Sequence, residues 1–236
     1  MPAYGLHNLY NPAMTRFSVE LFGKQVEIQF FEVNAAGEEE YEALLEEGPF
    51  KRFRRTPNNT WVMEDWDKKV YYFGSTAASR HADPADPLRI FAWQLDRIED
   101  ANGNAITFSY TKDRGAIYPD TISYEQFAIN FIYEPRPDVR TNFAVGFQEV
   151  TDKRIQKIET RHNNTLSRRY SFGYSAGDNG TRSLLSSIQE TGFMGSQVSR
   201  PAMTFQYQQS SVSFQAAPQY SIPGTIFWRG VWQGTN

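Results

Sequence analysis

The chain has 236 residues, enough for one large domain or two small ones, and a chain of this length buries roughly 70–75% of its unfolded surface. Its net charge of −3 argues against nucleic-acid binding, which needs a concentrated basic surface, and the absence of cysteine excludes disulfides, thiolate chemistry and Cys-ligated zinc. No apolar run approaches the ~20 residues that span a bilayer, and residues 1–10 lack the apolar core of a signal peptide.

Aromatic side chains make up 15% of the sequence, which favours β-strands because flat rings pack well on a pleated sheet. In chain order, alternating apolar and polar residues predict strand pairs over 16–33 and 61–75, each with a central turn. The basic cluster at 51–55 alternates with phenylalanine and is interpreted as a solvated strand face. We expect an all-β fold, in which antiparallel hairpins or a meander form a curved sheet with little helix. Further strands are predicted at 90–98, 105–111, 120–134, 168–175 and 202–208.

The segment 38–48 leaves two structures open. It is rich in helix formers and ends at Gly48, which is typical of a helix. Its closely spaced acidic residues repel one another, and the segments around it are predicted strands, which argues against a helix. A helix and a non-helical structure therefore both stand as interpretations of this segment.

The dipeptide Asn102-Gly103 lies between two alternating runs and is the strongest short signal for a β-hairpin. A two-residue type I′ loop places Leu95 on the apolar face but puts Ile98 on the polar face. A three-residue loop reverses this result, because a one-residue slip exchanges the faces of a strand. We predict the two-residue loop with a bulge between Leu95 and Ile98. Asn102, Gly103 and Asn104 are then a structural turn rather than a binding site.

A weak internal similarity relates two predicted hairpins. Residues 97–110 and 157–170 correspond at a constant offset, with a basic residue and Ile-Glu at the start, asparagine in the middle and tyrosine at the end. A true repeat and a chance likeness between hairpins both remain open.

Sequence patterns for catalysis and metal binding are weak. The three histidines, His7, His81 and His162, lie in separate segments without metal-ligand spacing. No nucleophile elbow, P-loop or Rossmann glycine pattern occurs. Asp83 and Asp86 leave calcium binding open, although Asp-Pro steps more often set rigid turns. We predict no enzymatic activity, no cofactor and no metal site.

Two tryptophans near the C-terminus, Trp228 and Trp232, are candidate aromatic contacts. Exposed aromatic rings on a sheet are suited to carbohydrate or protein binding, so a surface binding module is the alternative function. The other interpretation is that these rings dock on the sheet. We assign residues 1–210 to one β domain, complete or truncated at both ends. Residues 211–236 are then a tail that packs back on the sheet or the start of a following module.

Several phrases in a fixed order resemble one family of bacterial toxins. Over roughly 70–208, the chain is similar to the N-terminal domain of the Salmonella virulence-plasmid B protein family. The same domain opens the B component of insecticidal Tc toxin complexes and many Rhs-type toxins. The phrases are Tyr-x-Phe-Gly-x-Thr (71–76), Ala-Asp-Pro (82–84), Asp-x-Asn-Gly-Asn (100–104) and Tyr-Glu-x-Arg-Pro-Asp (133–138).

The resemblance implies an architectural and non-catalytic role in virulence. In this family the domain contributes strands to a hollow shell that encloses a cytotoxic polypeptide. The implied partners are the remainder of a B-type chain or a C-type component, together with that cargo. The implied location is secreted from a bacterium, and the chain is expected to be a fragment of the pattern or a short relative. The namesake's ADP-ribosyltransferase is a separate C-terminal domain, and we assign no such activity to the Glu-x-Glu spacing at 40–42.

A sheet of this kind leaves strand edges with unpaired backbone groups, so self-association through those edges is a further expectation.

Overall fold

Alternating apolar residues separated by short polar turns give this chain one dominant structure, a long antiparallel meander. The computed structural model describes residues 16–21, 23–45, 51–177, 182–193 and 195–207. These residues form a 15-stranded sheet and a separate 2-stranded sheet. They contain no helix, and hence none long and apolar enough to cross a membrane. The predicted all-β, antiparallel fold is confirmed.

The strands follow one another in the large sheet almost in chain order. That order runs from β1 to β6 and then from β9 to β16, while β17 pairs with β15. All of them lie within a compact unit that ends at Gln206. The strands are β1 Arg16–Leu21, β2 Lys24–Val33, β3 Glu39–Ala43, β4 Lys51–Arg55, β5 Trp61–Asp65, β6 Val70–Phe73, β7 Arg80–Asp83, β8 Asp86–Trp93, β9 Leu95–Glu99, β10 Ala105–Asp113, β11 Ala116–Tyr124, β12 Phe127–Asn142, β13 Glu149–His162, β14 Thr165–Ala176, β15 Ser183–Gly192, β16 Val198–Ser199 and β17 Met203–Thr204.

The N-terminal half of the sheet curls strongly. Phe17 on β1 packs edge-on against Trp61 on β5, with ring centroids 4.9 Å apart, although β1 and β5 are not neighbours in the sheet. Trp93 at the end of β8 joins the same group, 6.0 Å from Trp61. The curl encloses a core of Ile28, Tyr41, Phe53, Trp61, Met63, Tyr71 and Phe73.

The predicted strand over 90–98 is divided. Residues up to Trp93 pair with β7 in the small sheet, whereas Leu95 onwards pairs with β6 in the large one. The chain changes sheets at Gln94, whose N–H donates to the carbonyl of Ser79 at 2.7 Å. Bonds from Arg80 and Trp93 to backbone carbonyls hold the small sheet against the curled half.

The structure decides one segment that the sequence left open and shortens one predicted strand. Within 38–48, residues 39–43 form β3 and not a helix, because Tyr41 is buried opposite Phe53 and the glutamates beside it pair with arginines on β4. Tertiary packing here outweighs helix propensity. Within 202–208, only Met203 and Thr204 form a strand, pairing with β15.

Candidate functional site

One row of apolar side chains runs across nearly the whole sheet. Residues directly opposite one another in antiparallel strands share a face, so the strand registers trace a continuous row from β2 to β14. Its members are Phe30, Tyr41, Phe53, Met63, Tyr71, Ile98, Ile106, Tyr124, Phe127, His162 and Thr165.

Burial along this row is greatest on β3 to β6 and falls toward both ends; Phe30 at the N-terminal end is 38% exposed. Met63 is 1% exposed and Tyr71 is 4% exposed, whereas Tyr124 is 39% and Phe127 is 50% exposed. The physical cause is curvature, because the curled half brings its own strands together over the row. The flatter half leaves the same face open.

The open part of the row belongs to a broader apolar surface on β10–β14, which we name the open face. Neighbouring rows add to it, since alternate residues of one strand point to the same side. Ile129 is 36% exposed, and none of the other members is fully buried. The open face comprises Ile106, Phe108, Ile122, Tyr124, Phe127, Ile129, Phe131, Ile158 and Tyr170.

The other side of the same strands is polar and bonded to itself. Thr107 and Ser123 share a hydroxyl hydrogen bond of 2.7 Å. Glu159 is buried and accepts hydrogen bonds from Arg161 at 2.7 Å and Arg169 at 2.8 Å. Burial alone would raise the pKa of Glu159, but the two guanidinium groups outweigh it, and the pKa lies below its ordinary value. Over these strands the sheet therefore has one polar side and one apolar side.

The predicted turn residues Asn102, Gly103 and Asn104 lie at an exposed hairpin tip between β9 and β10. The loop has three residues and not two, because Asp100 pairs with Asn104 through a backbone bond of 3.0 Å. Only Gly103 has positive φ, at 85°, so the two-residue type I′ interpretation is wrong. Ile98 lies opposite Ile106 on the apolar side.

The side chain of Asp100 sets this loop. The Asp100 carboxylate accepts hydrogen bonds from the backbone of Asn102 at 2.8 Å and of Asn104 at 2.9 Å, and from the Asn104 side chain at 2.9 Å. The Asn104 amide and these backbone groups lower the pKa of Asp100. These hydrogen bonds all lie within the turn.

The bulge predicted between Leu95 and Ile98 has a counterpart at Asp96. The register with β6 shifts there, since Tyr72 pairs with Arg97 and Phe73 with Leu95. Asp96 is 7% exposed and accepts hydrogen bonds from the Ser75 backbone at 2.5 Å and from Ser79 Oγ at 2.7 Å. A buried Ser–Asp pair resembles part of a catalytic triad, but a triad also needs a base. Asp96 instead holds the 75–79 loop.

The two similar hairpins, 97–110 and 157–170, differ in loop and register. The second hairpin turns at Asn163 and Asn164, whose φ values of 48° and 61° give it the two-residue loop that we expected in the first. Ile158 lies opposite Tyr170, whereas Ile98 lies opposite Ile106. The sequence correspondence therefore does not extend to strand pairing.

His81 is buried where the small sheet meets the large one. Its Nε2 lies 2.9 Å from the Gly115 carbonyl and 3.6 Å from a Glu149 carboxylate oxygen. The rings of Phe91 and Phe147 pack edge-on against it. A carbonyl only accepts, so Nε2 carries the proton and His81 acts as a structural donor.

The aspartates considered for calcium also have structural partners. Asp83 pairs with Arg89 at 2.7 Å and accepts the Ala85 N–H, and Asp86 accepts the Leu88 N–H. Among the residues that the structure describes, no three His, Asp or Glu side chains are grouped to hold a metal.

The Tyr-Glu-x-Arg-Pro-Asp phrase forms a strap across the sheet. Residues 136–139 leave the β12–β13 pairing between Pro135 and Arg140. Arg136 binds Asp138 through two hydrogen bonds of 3.0 and 2.7 Å, and Asp138 accepts both the N–H and the hydroxyl of Ser183 at the start of β15. The Arg136 guanidinium, then the Ser183 donors, hold the pKa of Asp138 well below its usual range.

An open groove of about 490 Å³ lies beside this strap. Arg154 lies over the Tyr174 ring at 4.2 Å, donates to Glu134 at 2.7 Å, and reaches Ser183 Oγ at 2.7 Å. The strap therefore ties β12 to β15 across two intervening strands.

Comparisons with known proteins agree with this architecture. The sequence model of the family described as Salmonella virulence plasmid 65kDa B protein, SpvB, matches residues 17–131. The resemblance to the SpvB family is confirmed. No curated protein matches the chain.

Three solved structures share the SpvB-type fold of this chain. The N-terminal domain of effector protein SpvB from Salmonella typhimurium strain LT2 is 14% identical, with a TM-score of 0.58 over 77% of this chain and 76% of that one. TcdB2-TccC3-Cdc42 gives 15% identity and a TM-score of 0.66, over 84% of this chain and 13% of that one. The Photorhabdus luminescens Tc holotoxin pore is 16% identical, with a TM-score of 0.65 over 83% of this chain and 12% of that one. At such identities the likeness shows the fold.

The remaining predicted contacts, Trp228 and Trp232, lie outside the described residues, as does the 211–236 tail. Their assignment stays a prediction. What sequence reasoning did not find is the open face, because it arises from the sum of many strand registers. The sequence showed only the alternation of apolar and polar residues within each single strand.

Proposed function

We propose that this chain is a non-catalytic structural segment of a secreted bacterial toxin complex of the Tc or Rhs type, adding β-sheet to the shell that encloses or delivers a cytotoxic polypeptide. The observation that carries this proposal is the long, nearly sequential antiparallel meander, whose β10–β14 part has one apolar and one polar side. Such a sheet suits the wall of a shell, because it is long and its two faces differ in polarity. The polar side chains described above bond mainly to one another.

The comparisons support this role through architecture. Residues 17–131 match the SpvB family, and the fold recurs in solved Tc toxin structures whose chains are far longer than this one. The chain spans 12–13% of those chains, so the role of a whole toxin is a proposal for this segment. The internal pairing of Asp96, His81 and Glu159 supports a scaffold rather than an enzyme.

The proposal is tested by co-expression. The tagged chain would be produced together with the polypeptides encoded around it in its genome, and an unrelated β-rich chain with the same tag would serve as the control. We expect a stable complex by size-exclusion chromatography and a hollow particle by negative-stain electron microscopy. If no neighbouring product co-purifies above the control, the structural role in a toxin complex is wrong.

A surface binding module is the second candidate, and the exposed rings of Tyr124 and Phe127 favour it. Phe127 packs against His162 with ring centroids 4.8 Å apart and planes inclined by 31°, which forms an exposed aromatic pair. A panel of mono- and oligosaccharides would be titrated and followed by chemical-shift changes, with Phe127→Ala as the matched variant. Saturable binding lost in Phe127→Ala supports the module, and an unresponsive wild-type chain rejects it.

A further inference from the structure

We propose that the open face is a docking surface for the same face of a second copy of this chain, so that two sheets pack face to face. This inference is independent of the toxin role, because a chain that stays monomeric could still be a wall segment. It starts from the row that is buried in one half of the molecule and exposed in the other. The amino acids at Tyr124 and Phe127 are of the core type, yet they are 39% and 50% exposed.

The charge pattern of the open face permits contact with itself. In a two-fold contact the same surface patch of each copy faces the other, so a patch with a net charge would repel its own copy. None of the nine residues of the open face carries a charge. The same registers also place Thr160, His162 and Arg168 on this side of the sheet. Arg168 is neutralised by Glu190, which lies opposite Tyr170, in an ion pair of 3.2 Å. The opposite side of the sheet is polar, and its Glu159 and Arg161 bond to each other.

The size of the open face sets the strength of the contact. Five strands at the usual spacing are ~24 Å wide, and three alternating positions with their side chains are ~20 Å long, which gives roughly 500 Å² per copy. The pair would bury about 1,000 Å² in total, at the lower limit for a specific interface. We expect a weak contact, with a dissociation constant on the order of 1–100 μM.

The far edge of the sheet favours association by faces over growth at that edge. The outer side of β15 is covered by two short strands, β16 and β17, which pair with it at separate points. The N–H of Arg200 donates to the Glu190 carbonyl at 3.1 Å, and the N–H of Phe205 donates to the Ser186 carbonyl at 2.9 Å. An edge occupied in this way does not template a further strand. Two apolar sheet faces, in contrast, pack at ~10 Å, as in a β-sandwich.

The experiment is sedimentation velocity of the full chain between about 1 and 200 μM. We expect a reversible monomer–dimer equilibrium in the wild type. Phe127→Asp should weaken dimerisation at least tenfold, because it introduces a charge at the most exposed ring of the open face. Thr107→Asp is the matched control on the polar side and should leave the equilibrium unchanged. Ile129→Arg is a second face variant, and circular dichroism verifies that each variant is folded.

Because the chain contains no cysteine, single cysteines report the contact directly. Phe127→Cys should cross-link to a dimer with a short bismaleimide, whereas Thr107→Cys should not. A wild-type chain that is monomeric throughout the concentration range overturns the proposal, as does equal weakening by Phe127→Asp and Thr107→Asp. A dimer that forms only after deletion of residues 208–236 also overturns it, since the native occupant of the face would then be that segment.

Discussion

Two glycines with almost the same backbone conformation should tolerate alanine very differently. Gly103 and Gly115 have φ values of +85° and +82° and both lie in hairpin turns. A Cβ at Gly103 would meet nothing within 4 Å, whereas a Cβ at Gly115 would lie 2.1 Å from the carbonyl oxygen of Gln148. The difference between Gly115→Ala and Gly103→Ala therefore isolates a clash with backbone from the strain of positive φ.

The magnitudes follow from these two terms. Alanine at positive φ costs about 1–2 kcal/mol, and this term applies to both variants. Overpacking adds about 1–3 kcal/mol, and it applies only to Gly115→Ala, because the Gln148 backbone cannot rotate away as a flexible side chain would. We expect losses of about 1–2 kcal/mol for Gly103→Ala and about 2–5 kcal/mol for Gly115→Ala. A movement of Gly115→Ala away from Gln148 would also disturb the hydrogen bond between His81 and the carbonyl of residue 115.

Urea unfolding at 25 °C, followed by tryptophan fluorescence and by circular dichroism, measures both losses. Trp61 and Trp93 lie in or against the core and report on its disruption. The m-value should be the same in the three proteins, so that midpoints compare directly. Equal midpoints for the two variants would show that the turn at Gly115 relaxes away from Gln148, and the steric reasoning would be refuted.

Three further predictions concern the strap, the turn and the fold. Since Arg136 and Ser183 hold the pKa of Asp138 below the unfolded value of about 3.9, its carboxylate stabilises the fold above about pH 4 and loses this contribution as pH falls toward the folded pKa. Asp138→Asn should lower the urea midpoint at pH 7, and its difference from wild type should begin to shrink below about pH 4 while most of it remains at pH 3, because the folded-state carboxylate is still ionised there; a difference that vanished at pH 3 would contradict this. Asp100→Ala should lower the thermal midpoint more than Asn102→Ala, because the Asp100 carboxylate accepts three hydrogen bonds within the turn. The far-UV circular dichroism spectrum should be of β type with under about a fifth helix, and a helical spectrum would reject the fold.

Local patterns predicted most of the strands, because alternation and turn residues act within a few positions. The pairs around Gly23 and at 61–75 lie where the sequence placed them. The 39–43 strand was undecided, since its glutamates favour a helix locally and only the arginines and Phe53 of β4, distant in sequence, select a strand.

The hairpin register at Asn102-Gly103 was wrong for a different reason. Two loops with similar sequences compete there, and the Asp100 carboxylate decides between them through bonds to Asn104 that a two-residue loop would not form. The open face could not be predicted at all. It depends on every register from β2 to β14, and on how tightly each half of the sheet curls, which no single strand encodes.

The near-sequential strand order has a consequence for how the chain acquires its structure. Almost every strand pairs with the strand made just before it, so few contacts require the closure of a long loop. The sheet can therefore grow one strand at a time from its N-terminus as synthesis proceeds, with each hairpin adding to an edge that already exists. The β7–β8 hairpin is the exception. β6 pairs with β9, so this pairing forms only after β7 and β8 have been synthesised, and those two strands pair with each other in a separate sheet. Assembly should pause at this point, and a strand inserted or removed beyond it would lengthen or shorten the sheet without disturbing the part already formed.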